Sequence, residues 1–280
     1  MEHLLHCGRF FLSFDRPLLM GIVNLTDDSF SGDGLGADTE RAIAHGLRLK
    51  AEGADILDIG AESTRPGAEA VTAEREIQRI LPVVAGLRDC GLPLSVDTMK
   101  PAVMKAALAA GADMINDVMA LRTPGAMEAI AASNAAVCLM HMQGEPRSMQ
   151  ADPRYGDVVT EVAEFLAERI AAAEAAGIGR ERIVIDPGFG FGKTLEHNLQ
   201  LLKQLDELVV PDLALLAGMS RKNMLGLLTG RPVEERLPAG IAAHLLAVRR
   251  GARILRVHDV AAMRDALAVW NAVEENGNEP

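Results

Sequence analysis

The sequence predicts an α/β protein, a single-domain (β/α)8 TIM barrel with a short N-terminal strand extension. Three observations carry this expectation. Eight strand-like runs alternate with eight helix-like segments. The runs are short and mostly apolar, as strands buried on both faces are. The chain has 280 residues, and closed barrels of this kind take about 250. An open doubly wound sheet is the alternative that the same alternation permits.

In chain order, residues 9–14 (Arg-Phe-Phe-Leu-Ser-Phe) read as a short strand outside the repeat, a plug over one barrel end. The strand-like runs are Leu18–Asn24, Ile56–Gly60, Leu94–Asp97, Met114–Asp117, Val137–His141, Ile183–Asp186, Leu213–Met219 and Ile254–His258. The helix-like segments between and after them are Ala37–Glu52, Ala73–Leu87, Pro101–Ala109, Gly125–Ala132, Asp157–Ala176, Leu195–Leu208, Glu234–Arg250 and Val260–Val273. Several of these segments are closed by a glycine (Gly53, Gly91, Gly111, Gly177, Gly251), the residue that most readily turns left-handed after a last helical turn. No linker or low-complexity stretch divides the chain, so residues 1–280 read as one domain with its barrel at 18–273.

Composition narrows the function classes. A formal net charge of -11 without a basic stripe argues against a nucleic-acid partner. It leaves room for an anionic small substrate, because local cations outweigh distant charge. Cys7, Cys90 and Cys138 are scattered and show no metal or disulfide spacing, which suits a reducing compartment. No apolar run approaches the roughly 20 residues of a membrane span, and no signal-peptide core opens the chain. A cytoplasmic enzyme without a membrane partner is the expectation.

The chemistry begins at Ile183-Val184-Ile185-Asp186-Pro187-Gly188-Phe189-Gly190-Phe191-Gly192-Lys193-Thr194. A β-branched run ends on a carboxylate, proline stops the strand, and three alternating glycines let backbone turn sharply or approach a ligand. A Walker A loop fails here because Pro187 occupies the position of its first glycine, and the spacing G-x-G-x-G is not the dinucleotide fingerprint. Taken alone, the stretch reads equally as a glycine-rich connection with Asp186 as a turn residue. The other strand ends tip the balance: Asn24, Glu62 with Thr64 and Arg65, Asp97, Asn116 with Asp117, His141, Ser220 with Arg221 and Lys222, and Arg256 with His258. In a barrel all these ends meet on one face. The polar, glycine-rich loop from Asn24 to Gly36 suits a lid, and Arg65 puts a cation, or merely a solvated surface charge, beside it.

These segments, in this order, resemble dihydropteroate synthase: Met20-Gly21-Ile22-Val23-Asn24, Gly60-Ala61-Glu62-Ser63-Thr64-Arg65-Pro66-Gly67, Ser95-Val96-Asp97-Thr98, Asn116-Asp117, Met140-His141-Met142, Asp186 to Lys193, Ser220-Arg221-Lys222 and Arg256-Val257-His258-Asp259-Val260. The resemblance runs from Leu18 to Val269. It implies a barrel enzyme that joins 6-hydroxymethyl-7,8-dihydropterin diphosphate to 4-aminobenzoate and releases pyrophosphate, a homodimer using Mg²⁺ and a sulfonamide target. On the matching positions it implies Asp97, Asn116 and Asp186 at the pterin edge, Lys222 donating to ring acceptors, and Arg256 stacking on the bicycle and reaching a phosphate. It further implies His258 and the magnesium-associated Asn24 at the diphosphate, Arg65 beside the leaving group, and Thr64, Pro66, Phe191, Ser220 and Lys222 around aminobenzoate. Asp97, Arg65 and Lys222 would then be the residues closest to the chemistry.

The first loop departs from the family pattern. Leu25 and Asp27 stand where the family has valine and proline, and its lid aspartate matches Asp33 only with a one-residue displacement. Loss of the proline predicts a less stiff lid. Two other classes remain open at this level: a pterin-binding methyltransferase domain and a non-catalytic pterin-binding protein. The methionines at strand ends read as gap-filling core, with Met140 within reach of a ring face; His45, His244 and Trp270 read as helix packing or surface residues.

Overall fold

The computed structural model describes residues 4–26, 38–62, 71–145 and 148–276. The first loop with Asp33, and Thr64, Arg65 and Pro66 of the second, lie outside the described residues.

Eight parallel strands close into a barrel among the described residues: β3 (Leu18–Asn24), β4 (Ile56–Gly60), β5 (Leu94–Asp97), β6 (Met114–Asp117), β7 (Ala136–Met140), β8 (Ile183–Asp186), β9 (Ala214–Ala217) and β10 (Ala252–Val257). β10 pairs with both β9 and β3, so the sheet has no edge and the open alternative is excluded. The helices between strands are α1 (Thr39–Ala51), α2 (Ala73–Leu87), α3 (Pro101–Ala110), α4 (Ala126–Ala131), α5 (Val158–Ala175), α6 (Leu195–Lys203), α7 (Asn223–Thr229) and α8 (Leu237–Arg249), with α9 (Val260–Asn276) last. Side-chain caps on Asp38, Thr72, Asp157 and Thr194 start α1, α2, α5 and α6 where the sequence changes from loop to amphipathic pattern. α7 is an element the periodicity does not announce, because a seven-residue helix is too short to show a repeat.

Successive strand residues face opposite sides, and this builds the interior in layers. Met20, Ile56, Met114, Cys138, Val184, Leu216 and Ile254 fill the lower barrel. Their neighbours Leu19, Leu57, Ile115, Leu139, Ile183, Ile185, Leu215 and Leu255 face the helices. Two residues further along four of these strands, the same inward phase reaches Asp58, Asn116, Asp186 and Arg256. An apolar layer therefore supports a polar one at the C-terminal mouth.

The N-terminal extension differs from the single strand expected at 9–14. It is an antiparallel hairpin of β1 (Leu4–Cys7) and β2 (Phe10–Ser13), and Leu5 and Cys7 join the inner apolar cluster with Leu12 and Phe14 against it. Buried Asp113 anchors it, accepting from Arg9 Nε and Nη2 at 2.9 Å, from Arg9 N at 3.1 Å and from Leu94 N at 3.1 Å. No helix among the described residues is long and apolar enough to cross a membrane. His244 is buried, its Nδ1 on Gly240 O at 2.8 Å and its Nε2 taking Met219 N–H at 3.3 Å, which makes it a packing residue that holds the end of β9.

Replacing Asp113 by alanine strands a buried N–H and an arginine, and should lower stability by about 2–4 kcal/mol in urea unfolding. An unchanged midpoint would show that the hairpin anchor contributes nothing.

Candidate active site

Parallel register sets four strand ends side by side. Asn24 pairs with Gly60, Gly60 with Asp97, and Asp97 with Asn116. Arg256 reaches this row from β10 across the barrel. Its Nε donates to Asp58 Oδ2 at 2.6 Å and its Nη2 to Asp97 Oδ2 at 2.8 Å. Asp58 is wholly buried, and it also accepts from Ser95 Oγ at 2.6 Å and Asn116 Nδ2 at 3.2 Å. One cation thus serves two carboxylates. Burial, with Asp58, Glu76 and Asp117 adding negative charge, pushes the Asp97 carboxyl above its ordinary range in spite of Arg256.

The glycine-rich loop forms the opposite wall. Asp186 ends β8 and turns back to accept from Gly188 N at 2.7 Å; burial raises its pKa. Gly188 has φ 68°, and a Cβ there would lie 1.9 Å from the His141 carbonyl oxygen, so only glycine fits. Lys193, buried beneath, contacts His141 Nδ1 at 2.9 Å and donates to the carbonyls of Gly188 and Phe191 at 3.0 Å. Burial, Lys193 and Arg122 push His141 down to about 2, so its ring is neutral and Nδ1 accepts from the lysine. Tyr155 adds a hydroxyl on Gly192 O at 2.8 Å. The lysine that mimics a phosphate-binding motif in sequence is a staple inside the loop.

Lys222 precedes α7 and closes the gap between the walls. Its ammonium donates to the Phe189 carbonyl and lies 4.6 Å from the Phe191 ring centre. Burial lowers its pKa to about 8, against the pull of Asp186. Asp97, Asp186, Lys222 and Arg256 lie near enough to shift one another's protonation, so residues up to 159 positions apart form one charged group. At the rim, Ser220 Oγ bonds His258 N at 3.3 Å and His258 Nδ1 at 2.9 Å. Asn24 Oδ1 accepts from Thr26 N at 3.1 Å and Thr26 Oγ1 at 2.9 Å. Val118, Met140, Met142 and Met149, with Met99, Met119 and Phe191 packed on them, make an adaptable apolar wall between these polar groups.

Of the residues singled out from sequence, Asp97, Asn116 and Arg256 share one network, Asp186, Phe191 and Lys222 share the glycine loop, and Ser220 pairs with His258. Asp117 belongs elsewhere: it accepts from Met119 N at 2.8 Å and Leu121 N at 2.7 Å, holding a turn in which Ala120 and Leu121 have positive φ. Thr64 and Arg65 lie outside the described residues, but the stem of their loop is braced: Glu62 accepts from Val71 N at 3.1 Å, and Lys100 bridges Glu62 at 2.5 Å and buried Glu76 at 2.6 Å. Asp58 and Ser95 escaped sequence reasoning. The available signal was a lone carboxylate inside Ile56-Leu57-Asp58-Ile59, in phase with the barrel interior.

With this geometry in view, comparison with known proteins is specific. Residues 20–258 match the family model described as "Pterin binding enzyme". The dihydropteroate synthase of Neisseria meningitidis serogroup C is 50% identical over 280 residues, covering 98% of this chain and 99% of that protein. The structure of the Burkholderia cenocepacia dihydropteroate synthase complexed with 7,8-dihydropteroate is 51% identical with a TM-score of 0.92, covering 100% of this chain and 99% of that one. The Xanthomonas albilineans dihydropteroate synthase with 4-aminobenzoic acid is 55% identical with a TM-score of 0.92, covering 100% of both chains. A closed barrel whose mouth gathers these carboxylates, amide, lysine and arginine, matched over its full length, places the chain in the pterin-binding enzyme family, among the dihydropteroate synthases.

Proposed function

We propose that the chain condenses 6-hydroxymethyl-7,8-dihydropterin diphosphate with 4-aminobenzoate to give 7,8-dihydropteroate and pyrophosphate. The observation that supports this most is the Asp97–Arg256–Asp58–Asn116 network, fully buried at Asp58 and open to the mouth at Asp97 and Arg256, with Asp186 and Lys222 near it. Those groups offer carboxylate acceptors, an amide and an ammonium donor to the edge of a flat aminopyrimidinone.

In this reading Asp97, Asn116 and Asp186 hold the ring edge and Lys222 donates to a ring acceptor. Arg256 has Nε and Nη2 committed to Asp58 and Asp97, so its planar face is held for stacking. Bond cleavage at the pterin methylene sends the electron pair out with pyrophosphate. Charge left on the methylene spreads into the ring, where the surplus carboxylate of the Asp58–Arg256–Asp97 group stabilises it. The amine lone pair then forms the C–N bond, and its proton leaves to solvent. We favour this stepwise order over direct displacement. His258 would serve the diphosphate, the role the resemblance also gives to Arg65, which lies outside the described residues. Ser220, whose Oγ accepts from the His258 backbone N–H and pairs with His258 Nδ1, would meet the aminobenzoate carboxylate, with Phe191 and Lys222 at its ring; Thr64, which the resemblance also assigns there, lies outside the described residues.

Mg²⁺ fits here as a metal carried in by the diphosphate. Asn24 would contribute one amide oxygen, and no group of three His, Cys, Asp or Glu side chains among the described residues forms a cage. Mg²⁺ commonly keeps waters and phosphate oxygens around few protein ligands. Asn24 would hold it by giving up one of its Thr26 hydrogen bonds, and the ion would neutralise charge on the departing diphosphate. We also place the enzyme in the cytoplasm, as the scattered buried thiols suit. Sulfonamides, which present an aniline and an acidic group like aminobenzoate, should compete at the same pocket.

A pyrophosphate-release assay with and without 4-aminobenzoate tests the reading; pterin binding without turnover would leave a non-catalytic protein. Asp186→Asn should weaken pterin binding by about tenfold or more while the protein stays folded, since the carboxylate loses a charged hydrogen bond to ligand. Wild-type affinity in that variant removes Asp186 from the ring edge.

The acid side of the pH profile should report Asp97. Its folded pKa lies above the ordinary 3.8, so protonation, which abolishes its acceptor role, sets in well above that pH. The kcat/KM for the pterin substrate should therefore fall on acidification with a midpoint above 3.8, and Asp97→Asn should lack this limb. A limb unchanged in Asp97→Asn assigns it to another group.

Leu246 of α8 and Val269 and Val273 of α9 are 44%, 67% and 65% exposed, an apolar face we assign to a homodimer. Sedimentation should give about twice the 29.9 kDa chain mass; a monomer at micromolar concentration rules the dimer out.

A further inference from the structure

We propose that Asp58 is a positioning residue of the synthase reaction: its buried carboxylate orients the Asn116 amide and the Arg256 guanidinium for the pterin ring. This rests on the synthase reading above. Asp58 shares the inward-facing polar layer with Asn116 and Arg256, is 0% exposed, and would act on the substrate only through those two partners.

The donors around it are specific. Oδ1 accepts from Ser95 Oγ at 2.6 Å; Oδ2 accepts from Arg256 Nε at 2.6 Å and Asn116 Nδ2 at 3.2 Å. A carboxylate is acceptor-only, so the Asn116 side chain can meet it only with its NH₂ group. That fixes the amide: nitrogen toward Asp58, carbonyl oxygen away from it, available to accept from a ligand N–H. The same constraint turns Arg256. With Nε on Asp58 and Nη2 on Asp97, two bonds define the guanidinium plane, and Arg256 cannot rotate without breaking a charged pair. Ser95 holds the carboxylate itself against rotation. One buried charge therefore determines which atom Asn116 offers and which face Arg256 presents.

An asparagine at position 58 keeps the shape and removes this logic. It has one acceptor oxygen instead of two. Turned toward Arg256 and Asn116, that oxygen offers both an uncharged acceptor while the NH₂ goes to Ser95 Oγ; turned the other way, it leaves both without a partner. The Asn116 amide is then no longer held in one orientation by a charge. Asp97 changes too. It faces Arg256 from β10, Asp58 from β4, Glu76 from α2 and Asp117 from β6, and losing the Asp58 charge gives it the whole of Arg256.

The test is steady-state kinetics of full-length wild-type, Asp58→Asn, Asn116→Ala and the double variant, with pyrophosphate release as readout. We expect the KM for the pterin diphosphate to rise about tenfold in Asp58→Asn, with the KM for 4-aminobenzoate within about twofold, the scale of one lost charged hydrogen bond. The acid limb of kcat/KM should move to lower pH. The double variant should lose less than the two single losses combined, because once the amide is gone only the Arg256 share of the Asp58 effect remains. An unchanged pterin KM, strictly additive losses, or kinetic constants that all fall together overturn the proposal. If Asp58→Asn does not fold, Ser95→Ala decides: it keeps the charge and loosens the carboxylate, and should raise the pterin KM about threefold, a fraction of one hydrogen bond. No change there also overturns it. A wild-type chain that releases no pyrophosphate would instead refute the synthase reading, a distinct failure.

Discussion

The arginine shared by Asp58 and Asp97 is the interaction on which the mouth of this barrel depends. Burying either carboxylate or the guanidinium alone would cost several kcal/mol, and the pairing offsets that cost only because the geometry is close and the remaining lone pairs find donors in Ser95 and Asn116. The balance is deliberately incomplete: two negative groups surround one cation. Burial first, and that excess of negative charge after it, raise the Asp97 pKa in spite of Arg256.

Everything else holds that group in place. The period-two alternation of the strands stacks it on a layer of Met20, Ile56, Met114, Val184 and Ile254, so its floor is apolar. The N-terminal hairpin stoppers the far end, tied down through Asp113, and keeps water from reaching the polar layer from below. Closure of β10 on β3 lets a residue from the last strand meet one from the second.

The glycine-rich loop solves a different problem. Gly188 passes the His141 carbonyl and Gly192 the Gln143 carbonyl at distances no side chain permits, and Gly190 adds a third positive φ. Such a loop has little intrinsic order. Lys193 supplies it from underneath, its Nζ spread over two loop carbonyls and a neutral histidine, and Tyr155 adds a further clamp. The Lys222 ammonium, bound to the carbonyl of Phe189 and over the ring of Phe191, joins this loop to the strand end after β9.

How much of this was legible beforehand follows from range. Strands, helices and turns are written in neighbouring residues, in the alternation of Ile183–Asp186 and in caps such as Asp38 and Thr194, so the barrel and the polar strand ends were readable. Short apolar pieces were not: the hairpin's first strand and α7 carry too few residues to display a period. Asp186 and Arg256 announced themselves by standing where strands stop, whereas Asp58 sits inside an apolar run and Lys193 wore the appearance of a phosphate ligand. The sequence by itself determined the order of elements and the kinds of side chain at each strand end, because those depend on contacts a few residues apart. Only the tertiary structure decided which of them touch. The bond from Arg256 to Asp58 spans 198 positions and exists only once the barrel has closed in register.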